Sequence, residues 1–111
     1  MTATVPGASA GGGEHPRHRL EQSLLHAVRF SIMATLSATD SAEFAFVRDT
    51  VEVSDSVLSK QVAVLEGAGF VSVQKGYVGK RPRTWLRVTP SGREAFARHL
   101  EALRDITRDG A

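Results

Sequence analysis

Cysteine is absent from the 111-residue sequence. This excludes disulfides, thiolate metal centres and cysteine nucleophiles, and it fits a reducing compartment such as the cytoplasm. Long apolar runs are also missing. None approaches the roughly 18 residues that cross a bilayer, and the N-terminus lacks the basic-then-apolar order of a secretory leader. A cytoplasmic chain without membrane contact is expected. No glycine-rich phosphate loop is followed by Lys-Ser or Lys-Thr, and no serine, histidine and aspartate grouping stands out. Enzymatic activity is therefore not expected. Of the four histidines, His15 and His18 sit in the N-terminal arm, and His26 and His99 fall on different helices. Three or four convergent ligands are needed for a metal, so neither a metal nor another cofactor is expected.

Acidic residues are missing from one long stretch. Between Gly67 and Arg93 there are six basic residues, Lys75, Lys80, Arg81, Arg83, Arg87 and Arg93, and no acid. The formal net charge of the whole chain is only +2. The basic residues thus form a local positive field suited to a polyanion.

The length allows one small domain. Residues 1–19, with Gly11-Gly12-Gly13, Pro6 and Pro16, carry few apolar groups and read as a disordered arm. The domain is expected over residues 20–108, with 109–111 as a tail. Leu24, Leu25, Val28, Ile32, Met33 and Leu36 recur at three- and four-residue steps, predicting an amphipathic helix over Leu20–Ser37. Ser37–Ser41 reads as a polar loop, and a short helix is predicted over Ala45–Thr50. Ser54 is a good N-cap and Asp55 suits the positive end of a helix dipole. The helix they open, 54–68, turns Leu58, Val62 and Leu65 inward. Phe70–Lys75 and Thr84–Val88 alternate as strands, joined by a basic loop over Gly76–Pro82. Thr89 and Pro90 then open a last helix whose apolar stripe is Phe96, Leu100 and Leu103.

The expected fold is mainly α with a small β-hairpin (α+β), a winged helix-turn-helix. On the helix over 54–68 each residue advances about 100°. Ser56, Ser59, Lys60 and Ala63 then face outward, with Val57, Gln61 and Val64 at one edge. Small polar and cationic groups suit entry into a major groove, where a lysine reaches guanine O6 or N7. Gln61 can pair with adenine if the helix tilts suitably. On the hairpin, Arg81 is the candidate for the minor groove, whose negative potential attracts guanidinium. Lys75, Lys80 and Arg83 are candidates for phosphates. Tyr77, Trp85 and Phe96 read as packing residues rather than the lining of a ligand pocket.

The segment from Leu25 to Leu100 resembles the winged-helix regulators of the ArsR/MarR superfamily, and the compact MarR-type proteins most of all. The resemblance is carried by Val28-Arg29-Phe30-Ser31-Ile32-Met33, by Ser54-Asp55-Ser56-Val57-Leu58-Ser59-Lys60-Gln61 and by Leu65-Glu66-Gly67-Ala68-Gly69-Phe70-Val71. Gly79-Lys80-Arg81-Pro82-Arg83-Thr84 and Leu86-Arg87-Val88-Thr89-Pro90-Ser91-Gly92-Arg93 complete it. It implies a sequence-specific regulator that binds double-stranded operator DNA as a homodimer built from the first and last helices. It also implies that Ser56, Ser59, Lys60 and Gln61 face the bases and that Arg81 and Arg83 belong to the wing; by their own positions Ser54 joins the DNA-binding set on the helix, and Lys75 and Lys80 that on the wing. Leu20, Leu24, Leu25, Phe96, Leu100 and Leu103 are assigned to the dimer interface. Relatives often carry His or Arg where this chain has Gln61, so no base preference is carried over. The alternatives are a protein-interaction module on the same fold and a ligand- or metal-gated sensor. No residue supports a small-molecule effector.

Overall fold

The computed structural model describes residues 14–110. Two short 3-10 turns, Pro16–Arg19 and Gln22–Leu24, lead into helix α1 (Ala27–Thr39). Strand β1 (Ser41–Glu43), helix α2 (Phe44–Val51) and helix α3 (Asp55–Gly67) follow. The hairpin of β2 (Val71–Val78) and β3 (Arg81–Val88) precedes the last helix, α4 (Pro90–Gly110).

Ordered chain begins earlier than expected. Pro16 is buried and the segment 16–19 packs along α4, where Arg19 pairs with Asp105 at 2.7 Å. The first thirteen residues of the expected disordered arm lie outside the described residues. The first helix also starts later than its apolar period suggests. Glu21 accepts the amide of Ser23, and His26 accepts the amide of Val28 at 3.2 Å. These two side chains cap separate turns, and His26 takes an extended backbone. Leu20 to Leu25 therefore form a strap across the bundle rather than a first helical turn. Asp40, at positive φ, closes α1 by returning its amide to the Leu36 carbonyl at 2.7 Å.

The sheet has three antiparallel strands in the order β1-β3-β2. β1 overlaps the expected loop only at Ser41 and pairs Ala42 with Leu86 on β3. The hairpin is longer and tighter than expected. Val78 pairs with Arg81, leaving Gly79-Lys80 as a two-residue turn. Gly79 holds φ +63°, a value that glycine at the first turn position adopts at little cost.

One core joins these elements. Ile32, Met33 and Leu36 of α1 meet Val47 of α2, Leu58, Val62 and Leu65 of α3, Val71, Leu86 and Val88 of the sheet, and Phe96 of α4. Phe30 packs its ring 5.5 Å from that of Phe96. Leu24, 2% exposed, belongs to the same core. Leu24 and Phe96 were both expected at the dimer interface. Both are instead buried by contacts within their own chain, which leaves them little surface for a second copy.

Candidate nucleic-acid interface

Helix α2, the turn Glu52-Val53-Ser54 and helix α3 form a helix-turn-helix. Glu52 takes a left-handed conformation, and the amides of Glu52 and Val53 both return to the Arg48 carbonyl, at 2.9 and 3.2 Å. This sharp stop lets Ser54 begin a new helix. Its hydroxyl accepts the Val57 amide at 3.2 Å and lies 3.2 Å from the Ser56 hydroxyl. The serine-rich first turn of α3 is thus preorganised by its own cap.

On α3, Ser56, Ser59, Lys60 and Ala63 are exposed, while Leu58, Val62 and Leu65 are buried. The helical wheel is reproduced for these seven. Gln61 departs from it. It is 8% exposed, and its side-chain oxygen accepts from Arg29 Nη1 at 2.7 Å. The assignment of Gln61 to a base is therefore corrected: its amide faces α1, where a guanidinium satisfies it.

An open cleft of about 680 Å³ separates α3 from the hairpin. Asp55, Ser59, Ala63 and Glu66 line it from α3, and Lys75 and Thr84 from the strands. The outer face of α3 and the root of the hairpin therefore share one side of the molecule.

The charges on this side are unevenly engaged. Arg48 bridges Asp49 of α2 and Asp55 at the start of α3, at 2.9 and 2.8 Å. The hydrogen bond from Arg48 holds the Asp49 carboxyl below its ordinary range. Arg83 stands 3.6 Å from Glu43 and is half-buried, which ties the base of the wing to β1. Lys60, Lys75, Lys80 and Arg81 have no carboxylate within salt-bridge distance among the described residues. These four cations are uncompensated and exposed.

Tyr77 is the residue that the sequence reading misjudged on the wing. It is 72% exposed and stands opposite Pro82, so it packs nothing in the core. The miss is a matter of strand length. With β2 ending near Lys75, Tyr77 has no facing, and only the two-residue turn sets it on an outer face.

A model of the winged helix DNA-binding domain matches residues 28–107. The chain belongs to that family. The match runs from the start of α1 nearly to the end of α4, so the winged-helix unit includes the whole fold except the strap. An uncharacterized protein of Methanocaldococcus jannaschii is 27% identical over 82 residues, spanning 74% of this chain and 89% of that one. A transcriptional regulator homologue from Pyrococcus horikoshii superposes with a TM-score of 0.74 at 28% identity, covering 79% of this chain and 87% of the other. A MarR family regulator from Silicibacter pomeroyi gives 0.61 at 22% identity over 84% of this chain, and the match spans 62% of that protein's length. The winged-helix architecture expected from the sequence is the observed one, and its fold is MarR-like. Among the described residues no group of three or more potential ligands converges on a metal position, and no helix is long and apolar enough to cross a membrane.

Proposed function

We propose that this winged-helix chain binds operator DNA sequence-specifically as a homodimer and thereby regulates transcription. The observation that carries the reading is the shared side of the molecule: Ser59 on the outer face of α3 and the uncompensated Lys75 at the root of the hairpin line one cleft. In this reading α3 enters the major groove, with Ser56, Ser59 and Lys60 toward base edges. Ser54 caps the helix beside the backbone. Lys75 and Lys80 contact phosphates, and Arg81 at the turn enters the minor groove. Arg83 contributes less directly, since it already pairs with Glu43. The dimer interface is expected on Leu20, Leu25, Leu100 and Leu103, the members of the assigned set that are not wholly enclosed by their own chain. The reading implies a cytoplasmic protein.

Mapping the genomic fragments bound by the protein, then titrating a selected duplex against salt, tests the proposal. Binding through Z phosphates weakens with a log–log slope near about −0.9Z. A selected duplex preferred over random DNA, with a steep slope, is the expected result. A flat salt response, or no preference, would favour the protein-interaction reading of the same fold.

A further inference from the structure

The N-terminal strap lies outside the family match, yet it is linked through Arg29 of α1 to the helix that is proposed to read bases. Pro16 is buried against α4, and Arg19 pairs with Asp105 there. The Glu21 amide donates to His99 Nδ1 on α4 at 3.0 Å. Glu21 then folds its carboxylate onto the Ser23 amide and hydroxyl, at 3.4 and 3.2 Å. This leaves the Ser23 carbonyl accepting from Arg29 Nε at 2.6 Å. The other end of the same guanidinium donates to Gln61 on α3.

Arg29 is thus a half-buried cation with no carboxylate within salt-bridge distance among the described residues. Its two recorded hydrogen bonds go to neutral acceptors on two different elements. Arginine is suited to this task, because its planar fork fixes the angle between two acceptors. Gln61 follows Lys60 directly, about 100° further round the helix, and its side chain faces α1. A brace at Gln61 therefore sets the rotation of α3 about its axis, and with it the direction in which Ser56, Ser59 and Lys60 project.

We infer that Arg29 is a positioning residue for base reading, which locks the rotation of α3 to the strap and, through the strap, to α4. The inference rests on the proposed DNA-binding role of α3. Arg29 touches no nucleic acid itself. Removing it frees α3 to sample rotations in which contacts to phosphates persist while those to bases degrade. Positional tolerance at base edges is small, whereas phosphate contacts fix placement without carrying sequence.

The test is a set of variants, Arg29→Met, Gln61→Leu and the double variant, each titrated with the selected operator duplex and with random duplex. Arg29→Met is expected to lower the operator-to-random affinity ratio roughly tenfold while leaving the salt slope unchanged. Gln61→Leu is expected to lower it comparably, and the double variant no further than either single one, because both remove one brace. Arg29→Lys keeps the charge without the fork and is expected to lose part of the ratio; it also serves if Arg29→Met does not fold. An unchanged ratio in the folded Arg29 variants, with only a lower Tm, would overturn the inference, as would losses that multiply in the double variant. If the unmodified protein shows no operator preference, the DNA-binding reading fails instead, which keeps the two failures apart.

Discussion

Gly92, in the first turn of α4, lies directly against the backbone of Phe70, and a Cβ at this position would overlap the Phe70 carbonyl and come within 2.8 Å of its Cα. The two segments are stitched together around this contact. Thr89 and Ser91 donate their hydroxyls to the Gly69 carbonyl at 2.6 and 2.8 Å, and the Gly92 amide donates to Thr89 Oγ1 at 2.9 Å. The end of α3 and the start of α4 are thereby fixed on either side of the hairpin. Gly92→Ala is expected to destabilise the fold by about 1–3 kcal/mol or more, since backbone and not a flexible side chain must move. Thermal unfolding of the variant measures it; an unchanged Tm would refute the close packing.

Ser54 caps the helix proposed to enter the groove. Ser54→Ala removes the acceptor for the Val57 amide and is expected to cost about 1 kcal/mol. The loss should appear in urea unfolding, and Ser54→Asp should recover most of it. Equal stability of the Ala and Asp variants would show that the cap contributes nothing.

His99 is 1% exposed and packs 5.7 Å from the Phe30 ring. Burial lowers its pKa below the ordinary histidine value, with the opposing pull of the Glu21 carboxylate second. Its Nδ1 accepts a hydrogen bond and so must be unprotonated. The unfolded chain therefore takes up a proton at higher pH than the folded one. The stability contributed by neutral His99 is complete above about pH 6.5 and is lost as pH falls from there through the lowered value. His99→Gln is expected to flatten that part of the stability–pH profile. A slope that is the same with and without His99 would contradict the assignment.

The dimer proposal separates the assigned apolar residues. Leu24→Asp is expected to unfold the protein, because Leu24 is enclosed by its own chain. Leu25, 53% exposed, has room for a charge. Leu25→Asp and Leu103→Asp are expected to leave a folded chain whose sedimentation shifts from dimer to monomer. A dimer that persists in both variants would move the interface elsewhere.

The parts legible in the sequence were those governed by local rules. The Ser54 cap, the Leu58, Val62 and Leu65 face, and the Thr89-Pro90 helix start can each be read from a few neighbouring residues. Strand β1 could not: Ser41-Ala42-Glu43 has no β-forming character of its own and exists because β3 offers it an edge. Gln61 was misplaced for a similar reason. A polar residue at the margin of a helix face reads as exposed unless the donor that satisfies it is known, and that donor, Arg29, lies 32 residues away. The strap escaped notice because its order comes from α4, through Pro16, Arg19 and His99, and not from any period within it.

The central claim is that α3 and the wing hold a single duplex together. Titrating isotope-labelled protein with a selected operator duplex, and following backbone amide signals, tests it most directly. Residues 54–60 and 79–81 are expected to shift together along one binding curve. Shifts confined to one of these segments, or centred on a different face of the molecule, would contradict the account.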